Sequence, residues 1–167
     1  MTKPKKVRYI KRPNLLKMKA GHGGIPIERI QKAEKVITEY KADFTPDAFD
    51  NVVKIDKAIN EARKEILIDN RPLKEIPEIL RPVMILKSYG GMFQYRLISD
   101  IADICMQYIE SLEEYNLETL DIIRAHEKTL HAIVKNEVRG DGGDEGYQLV
   151  LELHNACQRY FEKYNVK

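Results

Sequence analysis

Apolar residues recur every three or four positions from Ile27 to Phe161, and that period leaves the chain little choice but helix. The strongest stretch runs Leu97, Ile98, Ile101, Ile104, Cys105, Tyr108, Ile109 and Leu112. At 100° per residue these side chains form one continuous apolar stripe. No segment alternates with the period of two that a half-buried strand requires, so the fold class expected is all-α.

The same period, cut by turn residues, predicts six helices. Ile27, Ile30, Ala33, Val36, Ile37 and Tyr40 share the face of the first. Thr45 is the expected N-cap of the second, with Pro46 at its first position, where a missing N–H is harmless. It runs to about Ile68 and turns Phe49, Val52, Val53, Ile55 or Asp56, Ile59, Ala62, Ile66 and Leu67 inward. In the third, Ile76, Ile79, Leu80, Val83 and Leu86 form the apolar face, Pro77 falls in the first turn, and Pro82 either kinks the helix or delays its effective start. Gly90-Gly91 separates it from the helix carrying the strongest stripe. Asn116 caps the fifth, from Leu117 to about Val138. The last, Asp144 to Tyr164, is expected to bury Tyr147, Leu149, Val150, Leu153, Cys157 and Phe161. Short links between long amphipathic helices favour an up-and-down four-helix bundle over about residues 73–164, with two N-terminal helices packed outside it, in one helical domain spanning residues 25–167.

The net charge of +2 hides an asymmetry. Residues 1–24 hold eight basic side chains, among them Lys5, Lys6, Arg8, Lys11 and Arg12, and no Asp or Glu, so the remaining chain carries −6. Pro4, Pro13 and Gly21-His22-Gly23-Gly24 break regular structure in this basic arm, which is expected to be extended or disordered when free. It reads as a solvated tail, as a docking peptide with Val7, Tyr9, Ile10, Leu15, Leu16 and Met18 as anchors, or as a contact for nucleic acid or anionic lipid. The acidic body would repel a polyanion that the arm attracts.

Little else points to chemistry. Cys105 and Cys157 lie on apolar stripes with no second cysteine nearby, as buried thiols of a reducing compartment do. The longest apolar run falls short of the 18 or so residues of a membrane span, and the first thirty residues lack an apolar signal core, so a cytoplasmic location is expected. His126 and His131, five apart, diverge by roughly 140° on a helix and make a poor metal pair. The segment from Gly140 to Gly146 is rich in glycine but carries three acids and no Lys-Ser/Thr, which excludes a phosphate loop; it reads as a helix stop followed by an acidic helix start. No metal, cofactor or catalytic residue is expected.

The segment worth following is Val83-Met84-Ile85-Leu86-Lys87-Ser88-Tyr89-Gly90-Gly91-Met92-Phe93. It resembles the central helix pair of bacterial histidine-containing phosphotransfer domains, in which one helix carries His-x-Leu-Lys-Gly, a turn follows, and a second helix packs back to complete a four-helix bundle. Leu86 and Lys87 match that pattern. Met84 stands in place of the phosphorylatable His, and Ser88 in place of Gly. A thioether accepts no phosphoryl group, so the resemblance implies a pseudo-phosphotransfer domain that keeps a docking face, around Met84, Lys87, Ser88 and Gly91, for a response-regulator receiver domain. Gly23-Gly24, Ala33-Glu34 and the stretch from Arg124-Ala125-His126-Glu127 to Gly143 are loosely similar to small helical accessory proteins of alphaproteobacterial chemotaxis. A receiver domain or histidine kinase is therefore the expected partner, with nucleic acid on the arm as the alternative and a homodimer open. His126, His131 and His154 are further candidates for phosphorylation, each expected at the surface or its boundary.

Overall fold

The computed structural model describes residues 13–20, 24–39 and 43–164. Every regular element among them is a helix: α1 (Leu15–Ala20), α2 (Ile27–Glu39), α3 (Thr45–Asp69), α4 (Pro77–Gly90), α5 (Arg96–Glu110), α6 (Leu117–Lys135) and α7 (Gly143–Tyr164). None is long and apolar enough to cross a membrane. The chain divides into two compact units, Met1–Lys41 and Ala42–Lys167, so the division follows α2 and does not fall at the Gly21–Gly24 stretch. The first unit holds α1 and α2. A short helix thus stands inside the arm that its prolines and glycines mark as irregular, because Leu15 to Ala20 contains neither breaker.

In the second unit α3 begins at Thr45, one residue earlier than expected. Phe44 occupies the N-cap position without a capping side chain. The Thr45 hydroxyl, which a cap would aim at the helix, instead lies 3.1 Å from the Tyr95 hydroxyl, and Asp43 Oδ1 accepts the Thr45 N–H at 3.0 Å. Phe44 is buried and stacks on Phe93 with ring centroids 5.1 Å apart. Tertiary burial of that ring, and no capping bond, fixes where the helix starts. Its end is conventional: Asn70 takes the left-handed conformation that Asn tolerates better than most residues. The expected cap of α6 is present in full, with the Asn116 side chain accepting the Thr119 N–H at 3.0 Å and the Thr119 hydroxyl accepting the Asn116 N–H at 2.9 Å.

Helix α3 packs on α4 and α6, α4 on α5, α5 on α6 and α7, and α6 on α7. Hence α3, α4, α5 and α6 close a ring of neighbours, and α7 lies against α5 and α6. Backbone bonds show how the ends align. Leu73 and Tyr115 exchange N–H to C=O bonds of 2.9 and 2.6 Å, tying the α3–α4 link to the α5–α6 link. At the opposite end, Gly140 donates to the Gln94 carbonyl at 2.7 Å and Leu97 donates to the Gly140 carbonyl at 2.9 Å, tying the α4–α5 turn to the α6–α7 loop. Successive helices therefore reverse direction. The expected core of residues 73–164 is redrawn, since α3 belongs to the ring instead of packing outside it. The reason lies in its buried stripe of Val52, Ile55, Ile59 and Ala62, which is as deep as any in the molecule.

The core joins these residues to Ile79, Val83 and Leu86 of α4, Leu97, Ile98, Ile101, Cys105 and Tyr108 of α5, Leu120, Ile123 and Leu130 of α6, and Leu153, Cys157 and Tyr160 of α7. Tyr147 and Leu149 are exposed, contrary to expectation, because they lie off the stripe of Gly146, Val150, Leu153, Cys157 and Tyr160 that α7 turns to the core; Phe49 and Leu67 likewise lie off the inward stripe of α3. At the α4–α5 corner the backbones nearly touch. A Cβ on Gly90 would stand 3.0 Å from the Ser99 nitrogen and 3.0 Å from the Tyr95 carbonyl oxygen. Only glycine lets α4 end so close to α5.

Candidate functional site

The C-terminal half of α4 turns Val83 and Leu86 into the core, which leaves Met84 and Ser88 on its outer side. Met84 is 48% exposed, Tyr89 45% and Met92, in the turn beyond, 58%. Ser88 donates its hydroxyl back to the Met84 carbonyl at 2.8 Å, which satisfies the serine within its own helix. Gly91 is exposed and its N–H donates to Ser99 Oγ at 3.1 Å, while that hydroxyl in turn donates to the Lys87 carbonyl. Ser99 therefore caps the end of α4 from α5 and fixes the surface that carries Met84, Ser88 and Met92.

Lys87 is placed differently from the other expected site residues. Its ammonium lies 2.7 Å from Asp103 Oδ1 on α5, and both side chains are a little over a third exposed. The Lys87 hydrogen bond, opposed by slight burial and helped by Gln107, holds the Asp103 carboxyl below the usual range. Gln107 Nε2 donates to the same carboxylate at 3.0 Å. The cation expected to meet a partner is thus already neutralised within the protein. Asp103 is sixteen residues away, and only the packing of α5 on α4 brings the two together. Tyr89 and Met92 are also exposed, Tyr89 on another side of α4 where its ring meets Phe44 and Phe93 edge-on.

The three histidines separate. His126 is fully buried, its Nδ1 lies 2.9 Å from the Ile122 carbonyl, and its Nε2 lies 3.9 Å from Cys157 Sγ. Burial pushes its pKa down, so the neutral ring is favoured. It is a core residue and not the boundary residue expected. His131 is half-buried against Phe49, with ring centroids 5.4 Å apart, and His154 is exposed on α7. Cys105 and Cys157 are free and buried, as their stripes imply. Burial raises both thiols, that of Cys157 to about 11, far from the range of a reactive thiolate.

A polar cluster that the sequence did not single out joins α3 to α6. The Arg124 guanidinium pairs with Asp56, donates to Asn60 Oδ1 at 2.6 Å and lies 3.5 Å from a Glu127 carboxylate oxygen. Glu127 is almost wholly buried, and burial, reinforced by the neighbouring Asp56 charge, raises its carboxyl pKa against the opposing pull of Arg124 and His131. Asp56, Arg124 and Glu127 line a cleft of about 360 Å³ with Val52, Val53, Lys128 and His131. Asp56 on α3 and Glu127 on α6 both meet Arg124, which makes the cluster a tie between the two helices. The signal was available: Ile123, His126, Glu127, Leu130 and Val134 share one stripe, and two polar residues on a buried stripe call for partners.

Among the described residues no three His, Cys, Asp or Glu side chains are grouped to hold a metal ion. Lys5, Lys6, Arg8, Lys11 and Arg12 of the basic arm lie outside the described residues, as do the apolar anchors Val7, Tyr9 and Ile10. No family model, curated protein or solved structure matches the chain.

Proposed function

We propose that the protein is a non-catalytic interaction module of bacterial two-component or chemotaxis signalling, a four-helix-bundle relative of the phosphotransfer domains that docks a response-regulator receiver domain on the outer face of α4. The observation that carries this reading is the exposure of Met84 on the outer side of α4, with Ser88 one turn further along the same side and Met92 exposed in the turn beyond. A flexible thioether makes an adaptable apolar contact, and Met84 occupies the position where the resembling family presents its histidine. Lys87 adds a cation at the edge of the face. Its bond to Asp103 keeps the ammonium oriented until acidic groups of a receiver compete for it. The Met84 thioether accepts no phosphoryl group, so the role proposed for the face is binding.

The test is capture of partners from the source cell by the intact protein and by a Met84→Glu/Met92→Glu variant. Both positions are exposed, so the variant is expected to fold. Recovery of a receiver-domain protein by the first and its loss from the second supports the proposal; recovery of the same proteins by both contradicts it. Lys87→Glu is the poorer probe, since it would set two carboxylates against each other at Asp103 whether or not a partner binds there. A phosphorylated receiver is expected to leave the wild-type protein unlabelled.

A further inference from the structure

The first unit of the chain presents apolar surface on both of its helices. Leu15, Leu16 and Met18 of α1 and Ile27, Ile30 and Val36 of α2 are all exposed, Leu16 at 81% and Ile27 at 71%. On α2 Ile27, Ile30, Ala33 and Val36 lie within one half of the helix, which Arg29 and Glu34 share, while Glu28, Gln31, Lys32 and Lys35 occupy the other half. The charges of α2 itself balance, with Arg29, Lys32 and Lys35 against Glu28, Glu34 and Glu39. The surplus lies ahead of it. Residues 1–41 contain twelve basic and three acidic side chains, a net +9, which leaves the second unit at −7.

We propose that this N-terminal unit binds the surface of an anionic lipid bilayer, with the α1 and α2 apolar side chains in the interface and the basic residues against the headgroups. This inference does not rest on the α4 docking face. Two observations select the bilayer. A nucleic acid would meet the cations and leave the apolar stripe in water. An apolar protein groove would cover the stripe but has no need of a +9 segment. A bilayer with acidic headgroups accepts both in one plane, and stable attachment without a spanning helix calls for two such signals, an inserted apolar element and a polybasic one. The −7 of the second unit would be repelled by the same surface, which favours contact through the first unit alone.

The experiment is co-sedimentation of the full-length protein with vesicles of phosphatidylcholine alone and of equimolar phosphatidylcholine and phosphatidylserine, at low and high salt. Binding is expected to the mixed vesicles, weaker by about tenfold or more on the neutral ones and weakened by salt. The variant Ile27→Glu/Ile30→Glu/Val36→Glu should lose binding by a similar factor, and Ile27→Leu/Ile30→Leu/Val36→Leu should retain it, with circular dichroism showing that both remain helical. Equal binding to both vesicle types, absence of binding to the mixed vesicles, or unchanged binding by the Glu variant overturns the proposal. So does binding of random-sequence duplex DNA unaffected by the Glu variant in the absence of vesicle binding, which assigns the unit to nucleic acid. A dimer in solution that the Glu variant converts to monomer, with vesicle binding intact, would show that the stripe serves a second copy instead.

Discussion

Glu127 shows how much a single side chain can be set by its surroundings. Buried beside Arg124 and near Asp56, it has its carboxyl pKa raised first by burial and then by the Asp56 charge. A carboxyl raised in the folded state stabilises the fold below its unfolded value, here 4.5, and that contribution is lost as pH rises through the folded value. Once pH has passed the folded value, the ionised group weakens the protein relative to a neutral one. Glu127→Gln should raise the thermal midpoint at pH 7 and leave it unchanged below pH 4.5, because Arg124 keeps Asp56 and Asn60 as partners. Thermal unfolding across pH checks this, and a lower midpoint at pH 7 would mean that attraction between Arg124 and Glu127 outweighs the cost of burying the charge. At this scale the sequence is unevenly informative. The period places Cys105 and Cys157 in the core, since the apolar residues around them define the stripe unambiguously. His126 occupies an equally deep stripe, yet its residue type points to the boundary, and only its position reveals the burial.

Among the elements, boundaries depend on contacts that no local pattern contains. Asn116 caps α6 as expected because its partner, Thr119, is three residues away. Thr45 fails as a cap because its hydroxyl lies against Tyr95, fifty residues on. Likewise Lys87 reads from sequence as a free cation, and only the packing of α5 on α4 supplies Asp103. The corner between those helices is the most constrained local feature. Gly90→Ala should destabilise the protein by about 1–3 kcal/mol, since the added carbon meets backbone atoms of α5 that have no rotamer in which to yield. Urea unfolding gives the value. A change below about 0.5 kcal/mol would mean that the α4–α5 corner relaxes freely.

Across the whole molecule, helix content and fold class were legible, whereas the membership of the ring was not. Amphipathic stripes state that each helix needs a partner, but not which one. Thus α3 closes a core that its sequence position seemed to leave it outside, and α7, expected inside, rests against α5 and α6 at the ring's flank. The contrast between the two units gives a direct measure. Ile59→Ala, at a fully buried position of α3, should cost about 2–5 kcal/mol. Ile27→Ala, on the exposed stripe of α2, should stay within about 0.5 kcal/mol. Chemical denaturation of both variants distinguishes this division from one in which α2 belongs to the folded core.

The proposal that α4 docks a receiver domain is tested most directly by titrating an isotope-labelled sample with unlabelled receiver and following backbone amide shifts. Perturbations are expected to concentrate at Met84, Lys87, Ser88, Tyr89 and Met92, with the amide of Asp103 responding as Lys87 is drawn away. Perturbations centred on the Arg124–Glu127 cleft, or none at saturating receiver, would contradict it.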